Sequence, residues 1–353
     1  MNILTINPGS TSTKLGWFSG DELIHEEAIR HTTAELEAFP EVVDQLGWRE
    51  GLIRAALSAQ GLDPSTLAAV VGRGGLVKPL ESGTYRVDEA MCADLRRGLQ
   101  GSHASNLGGL LAWSIGGSYN VPAYVVDPPA IDELDPVARI SGLPELPRRS
   151  LVHALNLKAV ARRAACELGK PYAELNLVLA HLGGGISICP QRRGRMVDVN
   201  NANESGPLAP ERAGTLPASA LVKLAYLGKY SERELLQRIA GRGGLMAHLG
   251  TNDAREVEAR MAQGDAHAEL VYRAMAYGIA KEIGAMATVL CGEVDAVVIT
   301  GGLAHSALLV GWVTERVRFI APVLVYPGEE ELRSLAAGAL RVLRGEEQAR
   351  TYA

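Results

Sequence analysis

Residues 7–14 read Asn-Pro-Gly-Ser-Thr-Ser-Thr-Lys, a turn of hydroxyls, one glycine and one lysine. Residues 3–6 before it form a short apolar run, and residues 15–18 after it form another. Both read as strands. The polar stretch 19–22 then leads to a third strand around residues 23–29. The same order returns from Asn176: "NLVLAHL" as strand, "GGG" as turn, "ISICP" as strand, "QRRGR" as polar turn and "MVDVN" as a third strand. A second pair of matching segments supports the repeat. "AVVGRGG" (69–75) and "AVVITGG" (296–302) are both β-branched runs that close on a double glycine. A duplicated α/β unit explains both pairs in the same order, and a short-period solenoid does not.

The 353 residues favour two domains over one. At 47% hydrophobic and 21% charged the composition is that of an ordinary globular chain. A net charge of −5 argues against a general nucleic-acid or membrane-surface binder. Cys92, Cys166, Cys189 and Cys291 include no metal-type pair, and each reads as a reduced cysteine in apolar surroundings. The uncharged stretch 106–126 holds paired glycines twice, Asn120 and Pro122. It reads as a buried helix, a turn and a strand, not a membrane span. Residues 1–4 show no secretory pattern, so the expected compartment is the cytoplasm.

Helices are expected over 151–168, with Ser150 as N-cap, over 266–290, and from 332 onward, where Leu332, Leu335, Ala336, Ala339 and Leu343 recur at helical spacing. Pro144 and Pro147 suggest a boundary near residue 148. The expected domains are 1–147, completed by the C-terminal helix 332–353, and 148–331.

Each glycine turn has two readings: an ordinary hairpin, or a cradle whose N–H groups and hydroxyls meet an anion. In the first, Ser10, Thr11, Ser12 and Thr13 add hydroxyls and Lys14 adds charge. The second is His181-Leu182-Gly183-Gly184-Gly185. The third, Thr300-Gly301-Gly302, lies between a strand and an expected helix, a junction suited to a nucleoside or phosphate. Neither a Walker A nor a Rossmann glycine pattern is present. Two phosphate hairpins from duplicated domains imply a nucleotide held in an interdomain cleft.

"NPGSTSTK", "HLGGGISI", "DVNNANESGPLAPERAGTLP" and "ITGG" together resemble the acetate kinase/butyrate kinase family, within the fold group of sugar kinases, heat-shock chaperones and actin. The likeness runs from residue 2 to about 345. The stretch 200–217 and "VGRGGLVKP" are more similar to butyrate kinases. The resemblance implies two duplicated actin-like (ribonuclease H-like) domains. It also implies reversible transfer of the ATP γ-phosphoryl group to a short-chain fatty acid, with Mg²⁺ as cofactor. A carboxylic acid is already ionised at pH 7, so no general base is needed; the obstacle is repulsion from the polyphosphate.

Residue by residue, the resemblance places Asn7, Ser10, Ser12 and Lys14 in the first phosphate turn. It places His103 near the substrate, makes Asp127 the catalytic aspartate, and makes Arg212 the transition-state arginine. His153, read in the first turn of a helix, is expected as a neutral imidazole that donates to the transferring group. Arg73 either replaces a family arginine that would fall at Val70 or is unrelated to it. His181, Gly183, Gly184, Gly185, Gly301 and Gly302 are expected at the nucleotide, and Asp253 and Arg255 near the adenosine. Glu330 or Glu331, with preference for Glu330, matches a metal-holding glutamate, joined by Asn7 and Asp127.

Each residue also has a plainer reading: a capped turn, a surface cation, a helix-start acid. The competing functions are a nucleotide-gated scaffold or chaperone-like module, and a sugar kinase with Asp127 as base. Acetate, propionate and branched acids stay open beside butyrate. A dimer or larger homo-oligomer is expected, with 266–290 as a contact.

Overall fold

The computed structural model describes residues 1–352. The strands are β1 (Asn2–Pro8), β2 (Ser12–Ser19), β3 (Glu22–Arg30), β4 (Leu67–Arg73), β5 (Thr84–Arg86), β6 (Ala123–Val126), β7 (Asn176–Leu182), β8 (Ile186–Arg192), β9 (Arg195–Met196), β10 (Ala296–Gly301) and β11 (Val323–Pro327). The helices are α1 (Thr33–Glu37), α2 (Leu46–Ala59), α3 (Glu89–Arg97), α4 (Asn106–Ser118), α5 (Ala154–Leu168), α6 (Ala218–Tyr226), α7 (Glu232–Ile239), α8 (Gly244–Leu249), α9 (Ala254–Ala262), α10 (Ala266–Val289), α11 (Ala307–Val317) and α12 (Glu331–Leu343). None is long and apolar enough to cross a membrane.

The described chain forms two units: residues 1–131 with 330–352, and residues 132–329. In the first, the sheet order is β3-β2-β1-β4-β6-β5; in the second it is β11-β10-β7-β8-β9. β1–β2–β3 and β7–β8–β9 are antiparallel meanders. β4 joins β1, and β10 joins β7, in parallel. β6 and β11 extend those parallel runs. The duplication read in the sequence is therefore a duplication of sheet topology.

Each sheet is buried by helices. In the first unit Leu4, Ile6, Val70, Ile53, Leu107 and Leu111 share one core. In the second, Val178, Ile188, Val297, Tyr272, Ile279 and Ile283 share another. Helix α10 buries Val271, Met275, Ile279, Ile283 and Met286, and Asp265 caps it by accepting from the Ala268 N–H at 2.9 Å. The connection after each run of parallel strands changes unit. α5 follows β6 yet packs on β7 and β10, while α12 follows β11 yet packs on β1 and β4.

The division falls between residues 131 and 132, not at 147/148. Residues 132–148 bond to the second unit: Asp135 N–H donates to the Val197 carbonyl at 2.9 Å, and Arg148 pairs with Asp198 at 2.8 Å. The proline pair marks an irregular segment inside that unit.

Three local expectations differ. The third strand of the second repeat is only Arg195–Met196. Beyond it the Asn200 side chain takes over the ladder, accepting from Ile188 N–H at 2.6 Å and donating to the Ile186 carbonyl at 2.8 Å. α5 starts at Ala154, not 151, and Ser150 does not cap it; His153 leaves helical geometry with ψ 58°. Cys92 and Cys189 are buried as expected, but Cys166 and Cys291 are exposed, on the outer face of α5 and in the turn after α10.

β4 and α4 meet where neither has a side chain. A Cβ on Gly72 would lie 1.9 Å from the Gly108 carbonyl oxygen, and one on Gly108 would lie 2.1 Å from that of Arg73. A Cβ on Gly117, one face of α4 away, would meet nothing within 4 Å. Gly72→Ala should therefore destabilise by at least about 1–3 kcal/mol, the usual overpacking range. Gly117→Ala should be neutral or stabilise by up to about 1 kcal/mol. Denaturant midpoints of the two variants, compared with the parent, check this.

Candidate active site

In the first unit the candidate residues gather at one edge of the sheet, where the parallel strands end. Asn7 is near the end of β1, Arg73 ends β4, and Asp127 follows β6. Ligands of open parallel sheets bind at this carboxyl edge. Asn7 donates through Nδ2 to Glu331 Oε2, and Arg73 pairs with Glu331 Oε1 at 2.7 Å. Arg73 also reaches Asn7 Oδ1 at 3.4 Å. Val70 is inside the core, so the arginine available at this edge is Arg73. Glu330, by contrast, is exposed, and its backbone carbonyl accepts from Ser334 Oγ at 2.8 Å. The glutamate that faces Asn7 is thus Glu331, because α12 begins there and its first side chain turns toward β1.

Asp127 is buried at a positive φ of 39°. Its Oδ1 accepts from the Gly83 N–H at 2.8 Å, and its own N–H donates to the Gly83 carbonyl at 3.1 Å. A non-glycine residue in this region is a local strain often stored at functional positions. His103 accepts through Nδ1 from the Ser105 N–H at 3.2 Å, which leaves a proton on Nε2 of the neutral ring. Burial, and then the Arg73 charge, hold its pKa below the ordinary 6.5.

The first turn is closed by Gly9 N–H donating to the Ser12 carbonyl at 2.7 Å. Ser10 and Lys14 are exposed, Ser12 is half-buried, and Lys14 lies opposite Asn7 in the β1–β2 pair. Arg49, which the sequence reading passed over, braces this turn from beneath. It donates to the Gly9 carbonyl at 3.0 Å, the Ser12 carbonyl at 3.2 Å and Thr13 Oγ1 at 3.0 Å. Nothing in a mid-helix arginine 37 residues downstream of Ser12 signals such a contact.

The second unit brings its own set together. His153 stands at the N-cap position of α5, one residue outside the first turn, and does not cap the helix. Its Nδ1 lies 2.9 Å from Ser187 Oγ, and its ring stacks on His181 at 4.0 Å between centroids. His181 is buried. Its Nδ1 lies 2.9 Å from Asn156 Oδ1, and its Nε2 is 3.1 Å from Glu329 Oε1 without a hydrogen bond's angle. His181 thus stacks on His153 and also adjoins the glycine turn, where a Cβ on Gly183 would meet its Nε2 at 2.9 Å. Ser187 lies within "HLGGGISI" yet the sequence reading gives it no role, and Asn156 belongs to no motif.

Arg212 places its guanidinium against the triple-glycine turn, where a Cβ on Gly185 would meet it at 3.0 Å. Its Nη1 donates to Asn203 Oδ1. Burial lowers its pKa and Glu211 partly offsets this, yet an arginine remains charged. Gly183, Gly184, Asp253, Arg255, Gly302 and Ser306 line a cleft of about 700 Å³ in this unit, within the range of a small-molecule site. Asp253 caps α9, and Arg255 clamps it at 2.6 Å, drawing its carboxyl down to about 2. Gly301 is packed against Leu182 and does not line the cleft.

The oxygen donors Glu331, Asn7 and Asp127 at the first edge suit Mg²⁺. That ion takes one or two protein carboxylates and completes its shell with water and phosphate. A cluster of three or more acidic, histidine or cysteine ligands is absent among the described residues, as such a site does not need one.

The Acetokinase family matches residues 145–321, which is 177 of the 353 residues. The acetate kinase of Porphyromonas gingivalis shares the fold at TM-score 0.79 and 18% identity, over 97% of this chain and 99% of that one. A propionate kinase from Francisella tularensis subsp. tularensis SCHU S4 gives 0.76 at 17% identity, over 95% and 98%. The acetate kinase of Entamoeba histolytica gives 0.76 at 17%, over 96% and 98%.

If the Arg73 charge is part of what keeps His103 neutral, Arg73→Gln will raise the His103 pKa toward its ordinary value, since removing a cation favours the imidazolium. An NMR titration of the His103 ring reads this directly; an unmoved midpoint would leave burial as the whole cause.

Proposed function

We propose that this chain, which belongs to the Acetokinase family and is an ATP-dependent carboxylate kinase, acts on a short-chain fatty acid, with butyrate as the preferred acceptor. The observation that carries the reading is the half-buried Arg212 guanidinium set against the triple-glycine turn, whose Gly183 and Gly184 line the 700 Å³ cleft. A fixed cation beside a phosphate turn stabilises charge that develops during phosphoryl transfer. The preference for butyrate is supported by the stretches 200–217 and "VGRGGLVKP".

A carboxylate oxygen of the ionised acid forms a bond to the γ-phosphorus. The bond from that phosphorus to the β–γ bridging oxygen breaks, and ADP leaves with the electron pair. No proton has to be removed from the nucleophile. Arg212 meets the oxygens of the transferring group. His153, held by Ser187 and the His181 ring, gives that group a hydrogen bond. Gly183, Gly184 and Gly302 approach the nucleotide through their backbone, and Asp253 and Arg255 take the adenosine side. The first unit's turn, with Asn7, Ser10, Ser12 and Lys14, receives phosphate oxygens. Arg73, His103 and Asp127 serve the acid. Glu331, with Asn7 and Asp127, would hold Mg²⁺, which lowers the negative charge that the acid must approach. The work is cytoplasmic, where ATP is available, and the protein acts as a dimer or larger homo-oligomer. The exposed Leu270 and Tyr277 of α10 support a contact there.

A hydroxamate assay with ATP and straight and branched acids of about two to six carbons ranks the acceptors. The highest kcat/KM should fall on butyrate; a maximum on acetate or propionate would replace that assignment. Arg212→Ala should lower kcat by about 10²–10³ with a smaller change in KM for ATP. Near-parental turnover would remove Arg212 from the mechanism. Glu331→Ala should raise the Mg²⁺ concentration needed for half-maximal rate, and Glu330→Ala should leave it unchanged. The reverse pattern would return the metal to Glu330.

A further inference from the structure

Two cationic side chains are among the largest fully buried groups of the protein, Arg49 and Lys158. They are treated differently. Lys158, 0% exposed, has the Glu133 carboxylate at 2.8 Å. Arg49, 1% exposed, has no carboxylate at ion-pair distance among the described residues. Its acceptors are all neutral: Gln45 Oε1 at 3.1 Å from Nε and 2.8 Å from Nη2, the Gly9 and Ser12 carbonyls, and Thr13 Oγ1. His31, the remaining polar neighbour, bonds Thr13 Oγ1 through Nε2 at 2.9 Å and adds no negative charge. Burial draws the arginine down to about 10, so it is still charged at neutral pH. A buried charge without a counterion is costly.

The hydrogen bonds also set the direction of the turn. A trans peptide is planar, with its carbonyl and the next N–H pointing opposite ways. Drawing the Gly9 carbonyl inward to Arg49 therefore turns the Ser10 N–H away from the guanidinium, on the side where Ser10 and Lys14 are exposed. The turn gains an outward donor, and a full positive charge sits behind it.

We propose that Arg49 is a positioning residue for phosphate at the first turn: it orients the turn's backbone donors, and its buried charge is answered by the phosphoryl oxygens of the bound nucleotide. This rests on the reading of that turn as a phosphate site. The neutral acceptors bond the guanidinium without cancelling its charge, and a bound anion would cancel it.

The test compares Arg49→Lys, which keeps the charge, with Arg49→Met, which removes it at similar length. Thermal midpoints are measured without ligand, with ATP and with tripolyphosphate, and KM is measured for ATP and for the acid. A ligand that binds the folded state raises its midpoint, by an amount that grows with the logarithm of its concentration over Kd. The Lys variant should keep more than about half of the ligand-induced rise, and the Met variant should lose most of it. KM for ATP should rise about tenfold or more in the Met variant while KM for the acid stays within about twofold. A Met variant with a lower unliganded midpoint but the full parental rise would make Arg49 a mere brace and overturn the proposal. Should the Met variant not fold, a folded Lys variant without a ligand-induced rise overturns it equally. A parent that responds to tripolyphosphate but makes no acyl phosphate would sink the acid-kinase reading and leave Arg49 to be judged on the tripolyphosphate shifts. A parent whose midpoint neither anion moves would end the proposal as well.

Discussion

Strand β4 and helix α4 touch backbone to backbone, because Gly72 and Gly108 leave no room for even one methyl group. Much of the first unit follows from this contact. It holds α4 flat on the parallel strands and fixes the loop before α4, which carries His103. It also keeps Arg73 in place at the end of β4, beside Asn7 and Glu331. The second unit has a counterpart at Gly301, where β10 closes on the Leu182 backbone. In the second unit a glycine that reads as a phosphate signal is thus also a packing device. Close approach of two backbones and close approach of a backbone to a ligand make the same demand on a residue.

Charge is managed by burial as much as by pairing. Glu331 is divided between Arg73 and Asn7, so the acidic group at the first edge is already partly neutralised. Arg212 bonds to the neutral Asn203 amide, which orients the guanidinium without cancelling it. Arg49 does the same with carbonyls and an amide. A protein that must bring an anionic acid to a polyphosphate needs cations whose charge is not spent on its own carboxylates. Neutral acceptors provide that. Buried Lys158 is the opposite case: its charge is paired with Glu133 at 2.8 Å.

The topology was legible because period and punctuation repeat: two apolar runs around a glycine turn, then a β-branched run ending in two glycines. The candidate site was named in the sequence where a motif carries it, and the structure places Gly183 and Gly184 at the cleft and Arg212 against their turn. It was not legible where a side chain reaches across the unit. Arg49 lies under a turn that ended 36 residues earlier in the chain, at Thr13. Ser187 faces His153 across 34 residues, and Asn203 holds Arg212 from a loop with no regular structure. The choice between Glu330 and Glu331 turned on one residue of helix phase, and phase is decided by how α12 packs on β1 and not by the local composition.

The linear chain alone therefore determined the duplicated strand order, the glycine turns and the identity of the polar groups beside them, because these depend on neighbours within a few residues. Tertiary packing decided which glutamate meets Asn7, that His181 stacks on His153, that the second repeat's third strand gives way to the Asn200 side chain, and that an arginine without a counterion lies beneath the first turn. Each of these is a contact between segments far apart in sequence, and such a contact exists only once the sheet has set their distance and direction.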